Sequence, residues 1–276
     1  MTPIRTVNEV FDAIQQAKAG ALEFGTNFFP VQRKLQDWID HEELHGEFRD
    51  CASFFFRQDR DFRHLYFCSS SASALQREIA TLPALQAERV VLDLVGKEPG
   101  LSEQIAVWEA AGFRRYTRLF RMARAGTPGT EAPPATAAEA HVAFAEPADA
   151  PAILKLLEAA FDRYGEQLPT PYEIESAIEN RQILVAKLDD AVAGLLFFET
   201  QGFTSTLRFW TVNEQFREMR FGSALMRQYF ATQNTVRRFI LWVAADNENA
   251  VQKYRHYGYA PDGLVDHVLA NELIPS

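Results

Sequence analysis

Near the middle of this 276-residue chain lies a stretch that cannot join a hydrophobic core: residues 123–138 are rich in Pro, Gly, Ala and Thr and have no large apolar side chain. Pro removes backbone donors and Gly keeps the chain supple, so the run reads as an exposed linker. Each flank is long enough to bury a core of its own. The expected division is a domain over 1–123, a linker over 124–138 and a second domain over 139–276. Twenty-two Phe within an apolar fraction of 47% supply bulk for both cores.

The second flank alternates between strand and helix periods. Residues 142–145 read as a strand. Asp149 then caps a helix with Ile153, Leu156, Leu157, Ala160 and Phe161 on one face. A second helix follows over 172–179. Strands over 182–188 and 191–200 flank a turn at Asp189 and Asp190, and a third covers 204–212. A helix over 222–232, a buried strand over 238–244, a helix over 248–257 stopped by Gly258 and a strand over 264–270 complete the pattern. The fold class is α/β, a mixed sheet with helices on both faces. The first flank ends alike, with strands over 65–68, 90–95 and 116–122, helices over 74–80 and 102–111, and a stop at Gly112. Laying Gly112 and Phe113 over Gly258 and Tyr259 brings Trp108 over Tyr254, so the flanks look like two copies of one fold. Phe54, Phe55 and Phe56 read as a further buried strand, with an interface as the alternative.

A net charge of −9 argues against a nucleic-acid partner, which calls for a basic face. No apolar run reaches 18 residues, and Arg5, Glu9 and Asp12 interrupt the N-terminus, so neither a membrane span nor a signal peptide is expected. Cys51 and Cys68 are too few for a disulfide framework, and read as buried free thiols of a cytoplasmic protein. His41 and His45 stand four apart around Glu42 and Glu43, which imitates a metal-binding helix. The run lacks the His-Glu-x-x-His order and a third ligand, so no metal is expected.

Two segments carry chemistry. In the first, a strand ending at Val212 leads through Arg217, Glu218, Met219, Arg220 and Phe221 into a helix opening with Gly222 and Ser223. Helix N-termini present unpaired N–H groups and partial positive charge, which suits a pyrophosphate, and Gly222 permits close approach. Arg217 and Arg220 add positive charge. In the second, directly after a strand, Ala250, Tyr254 and Tyr257 share a helix face. A phenol in a cleft can protonate a leaving thiolate.

Together these segments resemble the GNAT acetyltransferase superfamily. Its pyrophosphate motif lays over Arg217, Arg220 and Gly222, and its later pattern over Asn247, Ala250, Tyr254, Gly258 and Tyr259. The resemblance covers roughly residues 140–272. It implies that the backbone near Val212 pairs with the pantetheine arm of acetyl-CoA, that main-chain N–H groups from Arg217 to Ser223 hold the pyrophosphate, and that Asn247 contacts the arm. Tyr254 is then the general acid. Arg220 departs from the pattern, which has Gly there. The base is not marked by a motif: Glu199, Glu214 and Asp246 close or follow strands, and Glu199 is the first choice. The expected activity is acetyl transfer from acetyl-CoA to a primary amine of a small molecule, amino acid or peptide. A non-catalytic acyl-CoA binder or a structural protein is the alternative.

The first flank has only six residues, 69–74, where the second has twelve, 213–224. Trp108 and Leu101 stand where the second has Tyr254 and Asn247, so the first reads as a degenerate copy in a tandem arrangement. With the fold already doubled within one chain, a monomer is favoured over a homodimer.

Overall fold

A computed structural model describes residues 1–19, 21, 23–126 and 141–275. Positions 127–138 of the expected linker therefore lie outside the described residues. The chain forms two compact units, Met1–Phe120 with Gly263–Ser276, and Arg121–Asp262.

The first unit contains β1 (Thr2–Pro3), α1 (Val7–Ala19), β2 (Gly25–Thr26), α2 (Gln32–Asp40), β3 (Leu44–Phe48), β4 (Ala52–Asp59), β5 (Phe62–Ser69), α3 (Ala72–Ile79), α4 (Ala84–Ala87), β6 (Val90–Gly96), α5 (Glu98–Ala110) and most of β7 (Phe113–Ala125). The second contains β8 (Val142–Phe144), α6 (Ala150–Ala160), α7 (Pro171–Glu179), β9 (Ile183–Leu188), β10 (Ala191–Gln201), β11 (Thr204–Val212), α8 (Phe221–Thr232), β12 (Arg238–Ala244) and α9 (Glu248–His256). The last strand, β13 (Ala260–Asn271), lies mostly in the first unit.

In the first unit the strands are ordered β1-β3-β4-β5-β6-β13-β7. Period-2 alternation sorts the side chains. Phe54, Phe56, Leu65 and Phe67 join a core with Leu75 and Ile79 of α3 and Trp108 of α5. Phe55, Tyr66 and Cys68 face the other way, onto Val10 and Ile14 of α1 and Trp38 of α2. Cys68 is buried as expected, whereas Cys51 is half-exposed; both thiols are free. His41 ends α2 and His45 lies on β3, so the two do not share a helix.

The division by sequence assigned residues up to 276 to the second domain. In the structure Gly263–Ser276 belong instead to the first unit. β13 pairs antiparallel with β6, from Val265↔Gly96 to Ala270↔Val91, and Val265 and Leu269 enter the same core as Leu92 and Leu94. Asn271 fixes the end of the strand: its Oδ1 accepts Val90 N–H at 3.1 Å and its Nδ2 donates to the Leu85 and Glu88 carbonyls. Periodicity identifies a strand but not the sheet that receives it.

In the second unit the order is β12-β11-β10-β9-β8. Asp189 and Asp190 both adopt positive φ in the turn between β9 and β10, and Gly258 stops α9 at φ +83°. Thr170 and Glu173 form a capping box at α7. Asp149 stands where a cap was expected, but its carboxylate accepts Glu146 N–H and pairs with Lys187 at 2.8 Å. Phe197 joins Ile153 and Leu157 of α6 and Ile174 of α7 in one core, whereas the adjacent Phe198 packs on Tyr229 of α8. Helices α6 and α7 therefore cover one face of the sheet and α8 the other. No described helix is long and apolar enough to cross a membrane.

Candidate active site

The site begins with one extra residue in β11. Phe197 of β10 pairs with Phe209, and the next residue, Phe198, pairs with Leu207, leaving Arg208 as a β-bulge. An extra residue resets the alternation beyond it. Ser205 bonds Tyr229 of α8 at 2.8 Å, yet Phe209, four residues on, joins the core under α6 and α7. Trp210 and Val212 are thereby turned toward α8, where a Cβ on Gly222 would stand 3.3 Å from the Trp210 ring and 3.6 Å from Val212.

The bulge also coincides with the end of pairing on the other edge. β11 and β12 run parallel, matched from Thr204↔Arg238 to Leu207↔Leu241. Past that point each strand continues, β11 for five residues to Val212 and β12 for three to Ala244. A cleft of about 690 Å³ opens here, lined by Trp210, Thr211 and Val212 on one strand and Trp242, Val243 and Ala244 on the other. It is also lined by Phe161 and Glu166 from beyond α6 and by Gly222 and Ser223 of α8. Elements from opposite faces of a sheet meet in one cleft only where the sheet has a gap. Backbone groups on strands that part in this way lack a ladder partner. The buried indole N–H of Trp210 likewise has no partner among the described residues.

At the cleft the chain turns through a 3₁₀ segment, Glu214–Met219, into α8. Arg220 makes the junction in the left-handed region, φ 59° and ψ 17°. That conformation is nearly free for Gly and costs other residues about 1–2 kcal/mol. The local geometry therefore explains why a motif of this kind asks for Gly there. Ala224 N–H closes the first turn on Arg220 O at 3.1 Å, so the preceding N–H groups have no intrahelical acceptor. No carboxylate stands in the first turn of α8 to compete for an anion. Arg220, Lys253 and His256 line the cleft as well.

Tyr254 lies on α9, is only 8% exposed, and packs against Trp210 with ring centroids 5.7 Å apart and Tyr259 at 6.0 Å. Burial, and after it the charge of Glu166, push its phenol well above the ordinary range. It therefore holds its proton at neutral pH. Glu166 faces the same cleft; burial, with Asp162 adding to it, pushes its carboxyl up to about 7.

Of the residues expected at the site, Val212, Arg220, Gly222, Ser223, Asn247 and Tyr254 line this cleft. Asn247 also has a structural task, its Oδ1 accepting Ala250 N–H at 3.0 Å to cap α9. Glu218 and Met219 are exposed in the 3₁₀ turn, and Phe221 is buried at 1% with its ring in the core, so these contribute main chain at most. Arg217 lies in the same turn, its side chain outside the described part. Glu199 is not brought to the cleft. It pairs across with Thr206, where β11 and β12 are still joined, and its carboxylate meets Arg208 Nη1 at 2.7 Å with 45% of the side chain exposed. Glu214 and Asp246 are likewise absent from the lining. Sequence reasoning missed Glu166, Trp210 and Trp242. Trp210 and Trp242 sit near the C-terminal ends of adjacent parallel strands, which was a readable signal; Glu166, in a loop without a motif, gave none.

The sequence model of the acetyltransferase (GNAT) family matches residues 150–259. No curated protein matches the chain by sequence. Among solved structures, a tandem GNAT protein from the clavulanic acid biosynthesis pathway aligns over 98% of this chain and 96% of its own, with 13% identity and a TM-score of 0.57. A GCN5-related N-acetyltransferase from Kribbella flavida aligns over 87% and 93%, with 13% identity and a TM-score of 0.56. Another from Sphaerobacter thermophilus aligns over 82% and 78%, with 17% identity and a TM-score of 0.55. These likenesses extend the fold over nearly the whole chain, and the chain carries, in its second unit, a domain of the acetyltransferase (GNAT) family.

Proposed function

We propose that this chain is an N-acetyltransferase moving an acetyl group from acetyl-CoA to a primary amine of a small molecule, amino acid or peptide, with the chemistry confined to the second unit. The observation that carries this reading is the gap between β11 and β12, opening beside the bare N-terminus of α8. An extended amide chain laid along β11 past Leu207 would satisfy strand groups left without a ladder partner. The N–H groups of Phe221, Gly222 and Ser223 would then meet the pyrophosphate. Trp210 offers the same ligand an indole N–H that has no partner among the described residues.

In this proposal the amine nitrogen attacks the thioester carbonyl, the C–N bond forms and the C–S bond breaks. Tyr254 gives its proton to the departing thiolate, and a phenol with a raised pKa is in the correct state to do so. Glu166 takes the proton that the amine must lose, in place of Glu199. A carboxyl titrating near neutrality is matched to that task. No covalent enzyme intermediate is involved, and positioning supplies much of the rate. The first unit is a degenerate copy in which Trp108, an indole that does not release a proton, stands for Tyr254.

The test is amine-dependent release of CoA thiol from acetyl-CoA by the purified chain across an amine panel. Turnover with at least one amine, lost in Tyr254→Phe, is expected. Binding of acetyl-CoA with no turnover against any amine class would favour the non-catalytic reading. The strained Arg220 at the phosphate turn is the observation that keeps that reading in view.

A further inference from the structure

The first unit builds the same kind of strand gap and fills it with its own chain. β4 occupies one edge of β5 along its whole length, from Asp59↔Phe62 to Ala52↔Ser69. The other edge is shared. β6 pairs with it in parallel at Arg63 and His64, and β2 pairs antiparallel at Cys68 and Ser69. Beyond its last pair with β6, β5 runs five more residues to Ser69, just as β11 runs five residues beyond its last pair with β12. The segment 25–28 therefore stands on the first unit's counterpart of the strand edge that lines the cleft in the second.

Asn27 spans the parted strands. Its Nδ2 donates to Leu65 O of β5 at 3.0 Å and to Asp93 O of β6 at 3.1 Å, and its Oδ1 accepts Phe67 N–H at 2.7 Å. Thr26 Oγ1 donates to Phe67 O at 2.6 Å and accepts Phe28 N–H at 2.9 Å. Phe28 anchors the far end, stacked on Tyr66 with centroids 4.7 Å apart. One carboxamide and a short extended backbone thus satisfy main-chain groups on both strands. An acyl-CoA arm, with its two amides, would bring the same donors and acceptors. The rest of the first unit agrees. The first turn of α3 is capped by Ser71, which accepts Ala74 N–H at 3.1 Å, and Trp108 is wholly buried against Phe67 and Phe113.

We propose that residues 25–28 are a permanent internal occupant of the first unit's strand gap, taking the hydrogen bonds an acyl-CoA arm would take. The first unit is thereby closed to acyl-CoA, and each chain takes one acyl-CoA. The proposal rests on assigning the open gap of the second unit to that ligand. It goes beyond loss of motif residues, because it names what holds the strands apart.

Hydrogen exchange on the intact chain tests it, read over 65–69 and 208–212 with and without acetyl-CoA, and in Asn27→Asp. That variant keeps the size and the acceptor but loses both donors. The expected result is slow exchange over 65–69 in the wild type, unchanged by acetyl-CoA, with protection gained over 208–212. In Asn27→Asp, exchange over 65–69 accelerates about tenfold or more, since stranded buried carbonyls cost at least one bond's worth of stability. If that variant fails to fold, Thr26→Val removes only the hydroxyl bonds and gives the same change in smaller measure. Slowing of 65–69 by acetyl-CoA in the wild type would overturn the proposal, as would unchanged exchange in the folded variant. Protection of neither gap by acetyl-CoA would refute the second-unit assignment, and the residue 26 and 27 variants alone would then uphold or overturn the internal occupant.

Discussion

In the first unit β5 and β6 pair at Arg63 and His64 and then part around Asn27, while in the second β11 and β12 pair through Leu207 and Leu241 and then part around a cleft of about 690 Å³. Helix α5 sets Trp108 into the core of one, and helix α9 sets Tyr254 at the cleft of the other. The parallel strand pair creates a place where backbone groups need partners. Whether that place becomes a site depends on a few residues: an amide that fills it from within, or an open edge beside a bare helix N-terminus. The likeness to solved structures of this fold covers both units, and the groups proposed for acyl transfer all lie in the second.

The strongest way to break this comparison is to exchange the roles of the two aromatic residues. Tyr254→Phe is expected to lower kcat about 10²- to 10³-fold with melting temperature and acetyl-CoA affinity near wild type, as steady-state kinetics and calorimetry would show. Trp108→Ala should do the reverse. It removes a wholly buried indole, costing about 3–5 kcal/mol in denaturant unfolding, and leaves turnover per folded molecule unchanged. A loss of chemistry in Trp108→Ala at full folding would mean the first unit takes part in catalysis.

A smaller effect should come from Glu166. Its carboxyl titrates near pH 7 in the fold, so the rate is expected to rise with pH through that value and then level off. Glu166→Gln should lower kcat about 10- to 100-fold and flatten that limb. The stability sign is opposite to that of an ion-paired carboxylate. The folded pKa lies above the unfolded value, so the side chain favours the fold most below about pH 4.5. That support fades as pH rises to about 7. Above pH 7 the Gln variant should therefore melt higher than the wild type.

The smallest effect concerns the strained turn. Arg220→Gly relieves a left-handed residue and is expected to stabilise the second unit by about 1 kcal/mol, a melting shift of about 2–4 °C. If acetyl-CoA affinity falls at the same time, the guanidinium touches the ligand; if affinity holds, Arg220 is tolerated and nothing more.

Much of the second unit was legible because its elements carry clear periods and end in residues with a steric reason to be there. Strands 204–212 and 238–244 appear at the expected bounds. The two Asp of the β9–β10 turn and Gly258 all take the positive φ that their residue types allow. Three things were hidden. The bulge at Arg208 leaves no mark in composition, since it is a mismatch between two strands. The position of Glu199 depended on register: it looked suitable as a strand end, but antiparallel pairing carries that end to the joined part of the sheet. The placing of β13 with β6 is set by long-range packing of Val265 and Leu269, which period alone does not reveal. Asn27 belongs with these, a single polar residue whose partners are 38, 40 and 66 positions away.

Calorimetric titration of the intact chain with acetyl-CoA, beside Gly222→Asp, decides whether the open gap of the second unit is the acyl-CoA site. One site per chain with micromolar affinity is expected, abolished when a carboxylate is placed in the first turn of α8. Absence of binding at millimolar acetyl-CoA, or wild-type affinity in Gly222→Asp, would contradict that assignment.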